Sequence, residues 1–161
     1  MELVKRNSLS PDESWELAQQ LDRLSSEVQI FQQNLTKMGW TRELRPYLTF
    51  QQRIKALKAA SIQATHMLAE RILELGHEPS LISGNYIIKS DLQILPSIEN
   101  FDHALLTIVD DSQKLMDIVK EVFEIAAEYH EEQTMAFMSQ VAKQLALTIH
   151  FFMQMRSAHM N

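Results

Sequence analysis

The sequence predicts an all-α protein built as a bundle of four long helices, and three observations predict it. Apolar residues recur at spacings of three and four through four long segments. The 161 residues hold only three glycines and four prolines, all at the ends of those segments or between them. The connections between segments run short, long, short, which orders the helices in space. The length suits one domain, since domains commonly hold roughly 100–200 residues.

Each element has its own signal. Ser10-Pro11-Asp12-Glu13 reads as a helix start, with serine as cap, proline in the first turn and Glu13 completing a capping box. From there Leu17, Leu21, Leu24, Val28, Phe31 and Leu35 form one apolar stripe, which ends near Gly39 and Trp40. Pro46 forbids simple continuation. The second helix begins near it and carries Phe50, Ile54, Leu57, Ser61, Ala64, Leu68, Ile72 and Leu75 before stopping at Gly76, with Pro79 beyond.

Residues 76–96 (GHEPSLISGNYIIKSDLQILP) are too long for a tight antiparallel turn. They are expected to form a crossover with a short helix around residues 87–92. Ser97 is then placed to cap the third helix, whose stripe is Leu105, Ile108, Leu115, Ile118, Val119 and Val122. The charged residues 128–132 mark the break into a fourth helix with Met135, Met138, Val141, Leu145, Ile149 and Phe152. This is the connectivity of a ferritin-like four-helix bundle. The bundle is expected over residues 11–158, with residues 1–10 as a flexible N-terminal tail and residues 159–161 as a C-terminal tail.

Composition excludes several chemistries. With no cysteine there is no disulfide scaffold, zinc-thiolate site, iron–sulfur cluster or thiol nucleophile. No GxGxxG or GxxxxGK phosphate turn occurs. Fifteen Lys and Arg against 21 Asp and Glu give a net charge of -6, which is the wrong sign for a general nucleic-acid binder. No apolar run approaches the ~18 residues of a membrane span, and the first residues lack the apolar core of a signal peptide. A cytoplasmic, membrane-free protein is the default expectation.

Residues 66–76 (HMLAERILELG) resemble the helix-two signature of the Dps proteins, the mini-ferritins, whose pattern is close to D-x-x-A-E-R-x-x-x-L-G. Trp40 falls where that family often carries a tryptophan at the end of helix one. Glu132-Gln133-Thr134 is similar to the family's D-x-x-T opening of helix four. The resemblance covers nearly the whole chain. It implies a homo-oligomeric, dodecameric shell that oxidises ferrous iron with peroxide or oxygen and stores it as a mineral. It also implies an oxidation site shared between two subunits, with two histidines and an aspartate from one, and an aspartate and glutamate from the other.

Matched residue by residue, the family's glutamate is Glu70, and the aspartate four residues earlier is His66. The two histidine positions hold Gly39 and Gln51, and the other aspartate position holds Lys55. A charged ammonium repels ferrous iron and offers it no lone pair. The resemblance therefore implies a substituted, weakened ferroxidase site, with His66 and Glu70 as its ligands.

The residues themselves agree on geometry. Gln51, Lys55, Ala59, Ile62, His66 and Glu70 trace a second stripe on helix two, and His66 and Glu70 at i and i+4 share one face. Imidazole with carboxylate suits iron, and zinc equally. The plainer account is an interfacial hydrogen-bonded pair, with Lys55 a counter-ion to a nearby carboxylate.

Glu124, Glu128, Glu131 and Glu132, with His130, crowd the junction of helices three and four. The resemblance implies a three-fold pore there, and Glu128, Glu131 and Glu132 are the expected cation ligands, concentrating metal by charge. The plainer account is a solvated helix end, with glutamates favouring the start of helix four.

The other histidines carry less. His77 follows a helix end, His103 sits at a helix start, His150 is half-buried by its neighbours, and His159 lies in the tail. The methionines (Met67, Met116, Met135, Met138, Met153, Met155, Met160) invite a soft-metal or haem reading, but adaptable core packing explains them more simply. Family members that bind DNA generally use a lysine-rich tail. Here the tails offer Lys5, Arg6 and Arg156, so tight DNA binding is not expected.

The function expected is a Dps-like iron-binding shell with an altered oxidation site. A non-catalytic, metal-binding or structural shell subunit is the alternative. An unrelated helical adaptor module is a third.

Overall fold

Capping and breaking residues set the helix ends. The chain is described by a computed structural model covering residues 9–80 and 90–161. Helix α1 spans Pro11–Trp40, a 3-10 turn follows at Arg42–Leu44, and α2 spans Leu48–Glu74. Helix α3 spans Phe101–Glu128 and α4 spans Glu132–Met160. The capping box forms as read: Glu13 N donates to Ser10 Oγ at 3.2 Å, and Ser10 N donates to the Glu13 carboxylate at 3.0 Å.

Both interhelical stops at the C-terminal ends of α2 and α3 use the same turn. Gly76 has φ of 89° and His130 φ of 53°, each in the left-handed region just past a helix. His77 N donates to Ile72 O and Gly76 N to Leu73 O. Glu131 N donates to Ala126 O and His130 N to Ala127 O in the same pattern. These paired bonds satisfy carbonyls that the helix end leaves open. At the second stop a histidine does what glycine does at the first.

Three expected boundaries shift. The cap of α3 is Asn100, not Ser97: Asn100 Oδ1 accepts from His103 N at 2.8 Å, and His103 Nδ1 accepts from Glu99 N at 3.1 Å. The short helix expected around residues 87–92 falls partly outside the described residues, and residues 90–92 are not helical. Helix α4 continues to Met160, so His159 lies in its last turn, edge-on to the stacked rings of Tyr47 and Phe101.

The stripes read from the sequence form one core. Leu17, Leu21, Leu24, Leu35, Phe50, Leu68, Ile72, Leu105, Ile108, Val119, Val122, Met138 and Phe152 are all buried in it. Half-buried Leu57, Val141 and Ile149 pack at its edge. Burying an aliphatic or aromatic side chain stabilises by roughly 1.5–3 kcal/mol each. None of the four helices is long and apolar enough to cross a membrane, among the described residues.

The crossover is fixed by polar side chains of α1. Ser80 donates its N–H to Asp22 at 2.9 Å. Asp91 N and Leu92 N donate to the two oxygens of Glu27 at 2.8 and 3.0 Å. Asn34 donates to Gln93 O at 2.9 Å and accepts from Leu95 N at 2.9 Å, while Lys37 donates to the carbonyls of Leu95 and Pro96. Asp22, Glu27 and Asn34 are themselves buried. The pairing order shows the crossover running alongside α1 in the same direction. Arg23 pairs with Glu121, and Asn34 with Asp111, so α3 runs antiparallel to α1.

Asp111 completes this layer, accepting from Asn34 Nδ2 at 3.1 Å. Burial pushes its carboxyl up from 3.8 to about 6, against the opposing effect of the Asn34 hydrogen bond. The folded state therefore holds a proton that the unfolded chain has released, and stability falls as pH rises between 3.8 and about 6. In Asp111→Asn this decline disappears. The variant is more stable than the parent by roughly 2 kcal/mol at neutral pH, with the gain vanishing near pH 4, as read by urea denaturation across pH.

Candidate functional site

Two regions carry the residues singled out in the sequence: the outward face of α2, and the junction where α2, α3 and α4 meet.

On α2, His66 and Glu70 are both exposed and share a shallow depression of about 420 Å³ with Ala59, Ile62, Gln63 and Met67. One turn of helix separates them, so their side chains rise from the same face. Gly39, Gln51 and Lys55 come together in a second depression of about 370 Å³ with Trp40 and Lys58. Gln51 Nε2 donates to Leu44 O at 3.0 Å, which holds that amide against the 3-10 turn. A side chain at Gly39 would meet nothing within 4 Å. The three positions matched to lost ligands are thus neighbours, some way along α2 from the retained pair. No group of three or more His, Cys, Asp or Glu side chains within the chain is arranged to hold a metal ion, among the described residues.

At the junction, the acidic cluster divides. Glu124, Glu128 and Glu132 are exposed. Glu131 is committed: its Oε1 lies 2.6 Å from the Arg71 guanidinium, and its Oε2 accepts from Thr134 N at 2.8 Å, capping α4. Burial alone would raise the Glu131 carboxyl, but the bonds from Thr134 and Arg71 outweigh it and hold the group below its ordinary value of 4.5. Arg71 also donates to Thr134 Oγ1 at 3.0 Å, Gln133 Oε1 at 2.7 Å and Glu74 at 2.5 Å. The guanidinium fork thereby ties the last turn of α2 to the first turn of α4. Tyr129 donates to Glu16 across the same end, and that carboxylate together with partial burial raises the phenol to about 12.

Sequence reading missed the role of Arg71, which sits inside the quoted helix-two segment. The Thr134 of the helix-four opening was read as a landmark only, and it is the buried partner of that arginine. The remaining histidines sit apart from these clusters: His150 is exposed beside Phe151 near the end of α4, and His77 is partly buried after α2. Of the methionines, Met138 is buried in the core, Met116, Met135 and Met155 pack at its edge, and Met67, Met153 and Met160 are exposed.

The fold and its connectivity define a ferritin-like four-helix bundle, and solved structures of that class superpose on it. The Dps protein of Vibrio cholerae O1, described as a member of a broad superfamily of ferritin-like diiron-carboxylate proteins, matches with a TM-score of 0.84 at 21% identity, over 95% of this chain and 94% of that one. DpsC from Streptomyces coelicolor matches with a TM-score of 0.84 at 15% identity, over 91% and 87%. A Dps protein from Bacillus brevis matches with a TM-score of 0.81 at 17% identity, over 95% and 100%. At such identities the likeness is one of fold. No sequence-family model matches this chain, and no curated protein does.

Replacing Arg71 by Leu leaves a half-buried Glu131 without its cation and is expected to cost about 3 kcal/mol at neutral pH. The pair contributes fully above pH 4.5 and fades as pH drops through the lowered value of Glu131. The gap in melting temperature between Arg71→Leu and the parent should therefore narrow on moving from pH 7 to about pH 3.

Proposed function

We propose that this chain is the subunit of a Dps-like iron-storage shell whose inter-subunit ferroxidase site is substituted and weakened. The observation that carries the reading is the His66–Glu70 pair, exposed together on α2 of a bundle that shares its fold with Dps proteins over 95% of its length. Iron is the substrate and cargo. The neutral His66 imidazole supplies a lone pair, Glu70 supplies the negative charge, and zinc would suit the same two donors. Two donors hold a ferrous ion weakly, so a second subunit must complete the site.

The exposed carboxylates Glu128 and Glu132 would concentrate cations at the α3–α4 junction, with Glu131 contributing charge already shared with Arg71. A second reading is a non-catalytic, metal-binding or structural shell subunit. It is favoured by Lys55, an ammonium lining the depression at the positions matched to the other ligands.

The His66→Ala/Glu70→Ala double variant should lose rapid oxidation of ferrous iron by peroxide or oxygen, followed by absorbance. An unchanged rate would overturn the assignment of the site. A mass in light scattering equal to the 18.7 kDa subunit would remove the shell altogether. Crystals soaked with iron or zinc separate the two readings: anomalous density at His66 supports oxidation, density confined to the acidic junction supports passive storage. At physiological salt and sub-micromolar protein, DNA should run free in a gel shift, since the chain carries a net charge of -6.

A further inference from the structure

Close packing fails between α2 and α4. These helices run antiparallel and are clamped at both ends by arginines. Arg71 donates to Thr134 and Gln133 at one end, and Arg53 lies over the Phe151 ring at 3.9 Å at the other. Between the clamps α2 presents Ala60 and Ala64, whose methyl groups are too short to reach across. A cavity of about 220 Å³ remains there. Protein interiors otherwise hold few voids larger than a water molecule.

The cavity is apolar and reaches the core. Its floor is Leu24, Val28 and Phe31 of α1 with Leu115 of α3, all buried. Its two hydroxyls are spent within their own helices: Ser61 donates to Lys58 O at 2.7 Å, and Thr148 to Gln144 O at 3.0 Å. The amides of Gln63, Gln140 and Gln144 stand at the exposed rim. A buried water needs roughly two to four polar partners, and the floor offers none. A dry apolar cavity of about 150 Å³ already admits a benzene ring.

Toward Arg53 the cavity continues into a wider groove of about 460 Å³, and Leu57, Ala60, Gln144 and Thr148 line both. The groove holds Arg53, His150, Phe151 and Gln154, and no aspartate or glutamate lines it. Arg53 has no ion-pair partner among the described residues. Its guanidinium is oriented by the ring beneath it. A cation at the mouth of an apolar cleft, with no acid of the protein beside it, is complementary to an anionic head on a hydrocarbon tail.

We propose that the cleft between α2 and α4 binds a free, single-chain fatty carboxylate, its head on the Arg53 guanidinium and its tail in the cavity over Val28 and Phe31. Arg53 stands roughly 10 to 16 Å along the helix from Ala60 and Ala64, which suits a tail of medium length. The guanidinium fork offers a carboxylate two parallel N–H donors. Arg53 is exposed, so the head keeps its contact with water while the tail leaves it. Burial of the tail supplies the driving force, and the arginine selects the head. Neither His66 nor Glu70 lines the cleft, so the inference goes beyond the iron reading and does not rest on it.

Isothermal titration of the full-length protein, in its native state of association, with decanoate should show saturable binding of one molecule per chain. Decanol has the same tail and no charge, and should bind about tenfold more weakly. Arg53→Gln should bring decanoate down to the level of decanol and leave decanol unchanged. Ala60→Phe should abolish the binding of both. Both positions are exposed, so neither substitution is made in the core. Decanol binding the parent as tightly as decanoate does, or decanoate binding Ala60→Phe as it binds the parent, would overturn the proposal. So would an absence of saturable binding, the result expected if a neighbouring copy of the chain closes the cleft.

The methionines locate the ligand without any substitution. Met67 lines the cavity, whereas Met160 ends α4 well beyond it. With isotopically labelled methionine methyl groups, decanoate should shift the Met67 resonance and leave that of Met160 in place. Equal shifts at both, or a Met67 signal that does not move, would equally overturn the assignment.

Discussion

Asp22, Glu27 and Asn34 of α1 hold a stretch of chain with no regular hydrogen bonding among its described residues, and the bundle's topology depends on them. Backbone N–H groups lying against a core need partners, and a segment outside helix or sheet has none of its own. Glu27 supplies both carboxylate oxygens to consecutive amides at 91 and 92, and Asn34 serves as donor and acceptor at 93 and 95. Because these residues lie successively along α1, the described ends of the crossover are pinned at several heights between Asp22 and Lys37. It delivers the chain back to the end where α2 began, and this makes α3 parallel to α2. The cost is visible at Asp111, a carboxyl so deprived of water that its affinity for a proton rises to the mildly acidic range.

Much of this fold is legible in the sequence because helix burial is periodic. The stripes from Leu17 to Leu35 and from Leu105 to Val122 fall in the core as spaced. Local chemistry also reads well where the partners are three residues apart, as for Ser10 and Glu13. It misleads where several candidates compete: Ser97 and Asn100 are both good caps, and Asn100 prevails with His103 placed to accept from the residue before it. The buried acceptors of α1 could not be read, because Asp22, Glu27 and Asn34 look like an ordinary solvated face until the crossover is laid over them.

The site divides in the same way. A His–Glu pair one turn apart is a local pattern, and it stands where spacing puts it, on an exposed face. The status of Glu131 is not local. Its cation is Arg71, roughly sixty positions away in the chain and buried, so a count of nearby lysines finds an unopposed acidic cluster where one member is neutralised. His130 is a comparable case. Its neighbours suggest a charged loop, yet its backbone performs a helix stop that usually falls to glycine.

Arg71 links these two regions physically. Successive residues on a helix point about 100° apart, so the side chain at 71 and the side chain at 70 cannot face the same surroundings. Arg71 is drawn inward by Glu131, Thr134 and Gln133. That fixes the rotation of α2 about its own axis, at the end where helical freedom would otherwise be greatest. Glu70 is consequently aimed out of the bundle, and His66 with it one turn earlier. The orientation of the candidate ligands is therefore set by a salt bridge that never touches them.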